Sequence, residues 1–410
     1  MNRHIRSFRP ALLAAAMAFA FVAPVMAQGQ GRLLPAQDGD LVATRAVAVS
    51  RAASAEMERA PVRFFHELPA DEPVLGRHEP FEAASREYWQ QLDGSQLREG
   101  YALALTAPGA VVMISPGVKA RPLHRDQLSI ASAGRSHDAD SATQTLADAA
   151  ALRQAGMDVT PGTLAFKLRP GFEADARIQV AGAEGRYVLH VLEPESRDVL
   201  RARASVDTVH AGGEVKVRFA LDGGARIDGI HALLVAPDGQ AHDLEFAPAH
   251  GKGANERVGS VRAPVDFTPR PGLWEVRATV AGNDGGRAFQ RDVRTAVAVV
   301  VPTARLDGAA SVDVMRRGGM DMGLGVEVAT PGRYEVRGVL FATGQDGKEV
   351  PVGIAYAADW LAAGRHTLTL NWPEHVLGKF SPPYVLRDLR LTDQSSVAVL
   401  ERRAEALRVD

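Results

Sequence analysis

A polar segment at residues 134–140 combines one imidazole with two carboxylates within four positions: His137, Asp138 and Asp140. These side chains are donor types that a divalent cation accepts. The same composition is also typical of a helix N-terminus, where Asp138, Asp140 and Ser141 would accept hydrogen bonds from backbone N–H groups. We favour the capping role over a cation site.

A second group of imidazole and carboxylate side chains, His242, Asp243 and His250, lies in and after a predicted strand. His242 is in phase with the apolar Leu244 and Phe246, which directs its ring toward their face. A packed histidine followed by loop residues is therefore favoured over a set of metal ligands. From the sequence we assign no catalytic residue, no metal and no cofactor.

No complete catalytic motif accompanies these groups. The sequence lacks H-E-x-x-H, G-x-S-x-G, G-x-x-x-x-G-K-[ST] and G-x-G-x-x-G, the signatures of helical zinc proteases, nucleophile elbows and phosphate-binding loops. His124-Arg125-Asp126 matches three letters of a kinase catalytic loop, but the other parts of that site are missing. The chain has no Cys, which excludes Cys nucleophiles, thiolate zinc sites and disulfides.

Aromatic residues are the best candidates for contact with a ligand, because flat rings stack on sugar faces. The candidates are Trp360, Trp372 and Tyr384. Residues 358–361 are predicted to form a helical turn and Trp372 precedes Pro373, so both tryptophans are expected in exposed loops. A stretch rich in Gly and Met at residues 318–325 could form a soft-metal or peptide groove, but it is more typical of a turn that enters a strand.

The charge balance argues against nucleic acid as a partner. The 410 residues include 47 Lys and Arg and 49 Asp and Glu, a formal net charge of −2, which leaves no excess positive charge for a polyanion to recognise. Hydrophobic residues make up 46% of the chain and charged residues 23%, values typical of domains that fold in water.

The first 27 residues have the pattern of a secretory signal peptide. Three arginines precede an apolar run from Ala11 to Val22, and Val25-Met26-Ala27 matches a small-residue cleavage site. The apolar run is too short to span a bilayer, and Gln28 after the cut offers no thiol for a lipid. We therefore expect export through the Sec machinery to the periplasm or the medium, without a membrane anchor.

The spacing of strand patterns predicts three domains behind residues 1–27. We expect a tail or packed leader at 28–60, a β-rich N-terminal domain with short helices at 61–196, an immunoglobulin-like β-sandwich at 197–303 and a second β-sandwich at 304–410. In the middle segment, residues 214–221, 274–280 and 288–301 alternate apolar and polar side chains, the period of a strand with one buried face. The fold class is therefore mainly β.

The N-terminal segment is predicted to be mixed. Residues 85–92 read as a short helix that contains Tyr88 and Trp89, and residues 141–154 read as an Ala-rich helix that ends at Gly156. Strands are expected at 101–105, 111–115, 164–168, 177–180 and 187–192. A Gly followed two residues later by an aromatic recurs at Tyr187, Trp274 and Tyr334, which predicts rings buried near the corners of sandwiches.

Three phrases resemble an uncharacterised family of exported bacterial proteins that is defined by a domain of unknown function. They are Ser85-Arg86-Glu87-Tyr88-Trp89, Gly109-Ala110-Val111-Val112-Met113-Ile114-Ser115-Pro116 and Pro383-Tyr384-Val385-Leu386-Arg387-Asp388-Leu389. The resemblance implies a mixed N-terminal domain followed by immunoglobulin-like domains, and some members are substrates of type II secretion. The family defines no catalytic residues, so none is transferred to this chain.

Three functions remain open. The leading hypothesis is an exported, non-catalytic protein that uses loops or a sheet edge to bind a surface, a polymer or a protein partner. A surface polysaccharide is one such partner. The second is a hydrolase or metal-dependent enzyme with a site around His124, Asp126, His137 and Asp138. The third is a structural or chaperone-like periplasmic module. The oligomeric state does not follow from the sequence.

Overall fold

The structure is a computed structural model that describes residues 28–50, 57–69, 71–72, 79–247, 255–267, 270, 272–315 and 318–410. The predicted signal peptide and His250 lie outside the described residues. Within the described part of the chain, no helix is both long enough and apolar enough to cross a bilayer.

Strands dominate the chain, and its helices are short. The strands are β1 (Gln28–Arg32), β2 (Val62–Glu67), β3 (Glu82–Ser85), β4 (Glu87–Asp93), β5 (Tyr101–Ala102), β6 (Val111–Pro116), β7 (Leu128–Ser132), β8 (Arg135–Asp138), β9 (Thr143–Asp148), β10 (Leu164–Leu168), β11 (Arg177–Val180), β12 (Arg186–Leu192), β13 (Leu200–Ala204), β14 (Thr208–His210), β15 (Glu214–Leu221), β16 (Arg226–Val235), β17 (Ala241–Asp243), β18 (Glu245–Phe246), β19 (Glu256–Arg262), β20 (Trp274–Asp284), β21 (Arg287–Val300), β22 (Ala304–Val314), β23 (Met320–Val328), β24 (Gly332–Thr343), β25 (Glu349–Leu361), β26 (Gly364–Trp372), β27 (Ser381–Asp393) and β28 (Ala398–Val409). The helices are α1 (Gly94–Glu99), α2 (Ala139–Ala142), α3 (Ala149–Gln154) and α4 (Glu374–Leu377), with a 3-10 turn at Arg125–Gln127.

The middle of the chain is an immunoglobulin-like sandwich. One of its sheets has the order β18-β19-β15-β13-β3, and it faces strands in the order β17-β16-β20-β21. Taken in chain order from β13, this is the A-B-E-D and C′-C-F-G arrangement of the immunoglobulin fold. Alternate side chains of β15 and β20 are buried between the two layers. The predicted sandwich in this part of the chain is confirmed.

The N-terminal body packs the small sheet β5-β11-β7-β8 against strands in the order β4-β12-β6-β10-β9. Its large layer and the β17-β16-β20-β21 layer form one sheet, because β21 pairs with β4 at Asp292 and Glu87. Buried side chains on both sides of this joint, Tyr88 on β4 and Arg291 on β21, lie on the inner face. Both small sheets therefore cover the same face, and the opposite face is open across two bodies.

The C-terminal body is a second sandwich, with strands β22-β23-β26 facing β25-β24-β27-β28. This is the A-B-E and C′-C-F-G order in which immunoglobulin-like domains also occur. It contacts the middle body through a hydrogen bond of 2.7 Å between His210 Nε2 and the Leu400 carbonyl, and through the ion pair of Arg402 with Asp207. The mainly β fold class predicted from the sequence is thus confirmed.

The leader, the described residues between 28 and 69, lies on the C-terminal body although it comes first in the chain. Strand β1 pairs with β22 and β2 pairs with β25, so each sheet of that sandwich gains one strand. Between these strands the Leu34 N–H donates to the Ala406 carbonyl, and the Arg333 guanidinium donates to the carbonyls of Glu58 and Ala60. The prediction for residues 28–60 left a tail and a packed leader open, and the described residues of that range are packed on this body. Within the range predicted for the N-terminal domain, 61–196, β2 pairs instead with β25 of the C-terminal body and β3 pairs with β13 of the middle body.

Three helix predictions are wrong. Residues 85–92 are strand from Glu87 onward, and residues 358–361 are the end of β25 rather than a helical turn. Residues 141–154 contain the end of α2, the strand β9 and only then α3. In each case pairing with a neighbouring strand prevails over local helix propensity. The five strands predicted in the N-terminal body are confirmed, although β5 ends at Ala102. The aromatic rings of Tyr187, Trp274 and Tyr334 are buried as expected.

We expect the two phenylalanines of β2 to differ sharply in their effect on stability. The Phe65 ring meets Trp372 edge-on at 5.9 Å in the C-terminal core, whereas the Phe64 ring is 58% exposed on the other side of the strand. Phe65→Ala should lower the free energy of unfolding by roughly 2 kcal/mol, and Phe64→Ala by less than about 0.5 kcal/mol. Urea denaturation followed by circular dichroism measures both, and equal losses would contradict the docking of the leader.

Candidate functional site

The three aromatic candidates from the sequence do not form one exposed patch. Trp372 is the last residue of β26 and continues the inward phase of Leu368 and Leu370, so it is fully buried and has no surface to offer a ligand. Tyr384 packs partly against the same core. Trp360 is half-buried in β25, with the Arg59 guanidinium 4.5 Å above its ring. The placement of both tryptophans in loops is therefore wrong.

Two of the four residues of the predicted enzyme site, Asp138 and His137, have structural partners. Asp138 caps α2, because its Oδ1 accepts the Ser141 N–H at 2.8 Å, and this bond holds the pKa of Asp138 below its usual range. His137 meets the Phe172 ring edge-on at 5.2 Å. His124 precedes the 3-10 turn that contains Asp126. Across the described residues no group of three or more His, Asp or Glu side chains is arranged to hold a metal ion.

The other polar candidates also lie within the sandwiches. His242 on β17 lies against Trp274, with ring centroids 6.1 Å apart, and His231 Nε2 is 3.0 Å from Asp243 Oδ1. The predicted packed histidine is confirmed. The segment from residue 320 to 325 is the start of β23, so the prediction of a turn entering a strand is also confirmed.

The open face of the long sheet joins aromatic and charged side chains from both bodies. We use "open face" for the surface formed by Arg277 on β20, Arg294 on β21, Glu87, Trp89 and Gln91 on β4, and Val188 and His190 on β12. In β4, Tyr88 and Leu92 point into the core while Glu87, Trp89 and Gln91 point outward. This alternation is the reason that the strand presents an indole to solvent.

Trp89 is the centre of the open face. It is the cross-strand partner of His190, and the two rings stack with centroids 4.6 Å apart and planes 4° from parallel. The His190 Nε2 atom is 2.6 Å from Glu87 Oε2, which fixes the imidazole beside the indole. Strand β21 neighbours β4 on the edge opposite to β12, and its Arg294 guanidinium lies 4.9 Å from the centroid of the Trp89 ring. Such a cation–aromatic contact contributes about 0.5–1 kcal/mol at an exposed position.

Asp292 fastens β4 to β21 beneath this stack. Its Oδ2 accepts the backbone N–H of Trp89 at 2.6 Å, and the Gln290 amide donates to the Trp89 carbonyl at 3.3 Å. Burial raises the pKa of Asp292 above its usual range, although the hydrogen bonds from Trp89 and Thr279 oppose that shift. The position of the indole is therefore set by both bodies rather than by β4 alone.

On the inner face, directly under this joint, a buried ion pair links the two cores. Arg291 Nη2 is 2.7 Å from Glu193 Oε2, and both side chains are fully buried. The same guanidinium donates to the Thr106 and Ser196 hydroxyls at 2.8 and 2.9 Å. Glu193 also accepts the backbone N–H groups of Thr106 and Ala107. A buried polar network centred on this ion pair thus holds the joint.

A cavity of about 260 Å³ opens beside Arg277 at the far end of the open face. Its walls include Val235, Pro237, Leu273 and Glu275. Leu273 is 59% exposed, and Glu275 Oε2 accepts a hydrogen bond of 2.8 Å from Arg277 Nε. The surface that begins at His190 therefore ends in a depression with an apolar and a charged wall.

Sequence reasoning missed this site. The sequence predicts a helix at Trp89. It predicts that Arg277 and Arg294 point outward from two strands, but not that they share a surface with Trp89. The alternation of Glu87, Trp89 and Gln91 was the available signal. Nothing local predicts that β4 and β21, some 200 residues apart, lie side by side.

Comparisons with known proteins place the chain in a family. Residues 53–193 match the N-terminal domain, and residues 303–410 the C-terminal domain, of a domain of unknown function, DUF4785. A search of curated proteins finds no relative. The crystal structure of a DUF4785 family protein from Legionella pneumophila subsp. pneumophila strain Philadelphia 1 superposes with a TM-score of 0.73 at 20% identity, over 92% of this chain and 99% of that one.

Two other solved structures are only weakly similar to this chain. One, named pT26-6p, has a TM-score of 0.21 at 9% identity and covers 52% of this chain and 63% of that chain. The other, a tetra-tandem repeat in the extending region of a large adhesion protein, has a TM-score of 0.17 at 13% identity and covers 76% and 74%. The two matched domains of this family together cover more than half of the residues of the chain. The chain therefore belongs to the DUF4785 family, whose function is unknown.

Proposed function

We propose that the protein is an exported, non-catalytic binding protein that holds a surface, polymer or protein partner against its open face. The observation that carries the proposal is the continuity of that face: one sheet spans two bodies, and at the joint it presents a half-exposed indole between an imidazole and a guanidinium. Aromatic and arginine side chains are the types that dominate binding energy at interfaces.

The rigidity of the joint supports this role. A binding face built across two bodies requires that they keep their relative position, and the Arg291–Glu193 pair and the Asp292 contacts join them on both sides of the sheet. A face that is already organised loses little conformational entropy when a partner binds. The compartment in the proposal rests on the signal peptide pattern of residues 1–27, and fractionation of cells that express the full chain tests it.

Two exposed valines provide a matched test of where binding occurs. Val188 on the open face is 42% exposed, and Val258 on β19, in the small sheet of the middle body, is 47% exposed. We expect Val188→Trp to weaken binding at least about tenfold, because the indole would stand above the plane that a partner must approach, which corresponds to about 1.4 kcal/mol. Val258→Trp should leave binding unchanged.

The measurement uses the full chain on a glycan array and in pulldowns from bacterial envelope fractions, followed by titration of whatever is retained. Unfolding midpoints of both variants show that the fold is intact. Failure to retain any glycan or envelope component at micromolar concentration would count against the proposal, as would equal loss of binding in the two variants.

A further inference from the structure

The open face carries two arginines whose positive charges face each other across neighbouring strands. Arg277 and Arg294 are direct cross-strand partners on β20 and β21, and both are exposed. Like charges at opposed positions of neighbouring strands repel each other. Arg277 is compensated by Glu275 at 2.7 Å, whereas Arg294 has no carboxylate within ion-pair distance among the described residues. Arg294 is therefore held by the π face of Trp89 and by the more distant charge of Asp292, without an ion pair.

The two guanidinium groups are separated along the strands. Arg277 leans toward Glu275, and Arg294 leans the other way toward Trp89, whose carbonyl is bonded to the Gln290 amide. Two spaced cations on a flat sheet fit a chain molecule that carries negative groups at intervals.

The groups between these cations favour a ligand that is also rich in hydroxyls. The Glu87 carboxylate and the exposed Gln91 amide offer acceptors and a donor beside the stacked rings of Trp89 and His190. Val188 adds an exposed apolar surface next to them. Alternating hydroxyl and apolar patches are the surface of a sugar ring, which such side chains complement.

Charge distinguishes this ligand from other polyanions. Carboxylates of Glu87 and Glu275 are interleaved with the arginines, and the whole chain has a formal net charge of −2. Nucleic acid and anionic membranes present dense negative charge and attract surfaces with a clear excess of Lys and Arg. A polymer with sparse negative charge does not require such an excess.

We propose that the open face binds an acidic, carboxylate-bearing polysaccharide, with Arg294 and Arg277 contacting carboxylates on successive parts of the chain. This inference rests on the proposed function and narrows it to one class of ligand. Arg294 is the principal contact, because it has no direct ion pair to break among the described residues, whereas Arg277 is paired with Glu275. Binding is therefore expected to weaken as salt concentration rises, since the contacts are exposed.

The experiment titrates the full chain with three carboxylated polymers, polygalacturonate, alginate and hyaluronate, and with neutral dextran. Double-stranded DNA and vesicles of equal parts anionic and zwitterionic phospholipid represent the other polyanion classes. We expect at least one carboxylated polymer to bind about tenfold or more tightly than dextran, DNA or vesicles.

Arg294→Gln should reduce that affinity about tenfold and remove most of its salt dependence, while Arg294→Lys keeps the salt dependence. Arg287→Gln is the matched control, because Arg287 is exposed at the start of the same strand, opposite Asp284 at the hairpin end of β20; it should change nothing. Unfolding midpoints confirm that each variant is folded.

Several outcomes would overturn the inference: no binding of any of the three acidic polymers, equal affinity for dextran, tighter binding of DNA or vesicles, or an unaffected Arg294→Gln variant. If a neutral glycan or a protein binds instead and Val188→Trp blocks it, this inference fails while the proposed function stands. If nothing binds, both fail.

Discussion

Replacing Arg291 by Met is expected to lower the free energy of unfolding by about 3–5 kcal/mol, because the change leaves the fully buried Glu193 carboxylate without its cation. Four other acceptors would lose their donor at the same time: the Thr106 and Ser196 hydroxyls and the Asp198 and Gln290 carbonyls. The loss is large because a buried charge has no water to replace its partner.

Urea denaturation measures this loss, and a double-mutant cycle identifies its source. Glu193→Leu combined with Arg291→Met removes both charges, so we expect the double variant to be more stable than Arg291→Met alone. Arg287→Met, an exposed arginine of the same strand, should change stability by less than about 0.5 kcal/mol. A loss below about 1 kcal/mol for Arg291→Met would show that the pair does not hold the two cores together.

Stability is also expected to fall as the pH rises from about 4.5 to about 7, because of Glu401. This side chain on β28 is fully buried, and burial raises its pKa from 4.5 to about 7. Its Oε1 accepts the Leu306 N–H at 3.0 Å, but Arg403 Nε is 3.8 Å from Oε2, too far for a hydrogen bond. The folded state therefore holds a proton on Glu401 that the unfolded chain releases near pH 4.5.

The sign of the effect follows from that difference. The stabilisation is complete below about pH 4.5 and is lost between there and about pH 7, where the folded protein also ionises. The pKa displacement corresponds to roughly 3 kcal/mol. Glu401→Gln should lose less stability between pH 5 and pH 8 than the unchanged chain, as measured by urea denaturation at each pH. Glu405→Gln, on the same strand, should keep the original slope; a slope unaltered by Glu401→Gln would contradict the assignment.

The sequence predicted the parts of the fold whose pattern is local. In β15 and β20 each buried side chain alternates with a polar one, so one sheet face and its core could be read without knowing the partners. The strand β4 was misread because Tyr88 and Leu92 are four residues apart, and that spacing places two side chains on one side of a helix as well as of a strand.

The candidate site could not be predicted, because it depends on long-range pairing. Trp89, His190 and Arg294 come from three strands of two bodies, and β4 meets β21 through the Asp292 and Glu87 pair. For Trp372, in contrast, a local sequence signal was misleading. Its position before Pro373 indicated a loop, yet the preceding strand directs the ring into the core.

The docking of the leader dictates when the molecule can be completed. Strands β1 and β2 leave the ribosome first, but the edges that receive them, β22 and β25, are translated after more than two hundred further residues. A polypeptide released early, before residue 304, would thus be left with unpaired strands at its beginning as well as a missing end. The strands of the leader can therefore pair only after the C-terminal body has been synthesised.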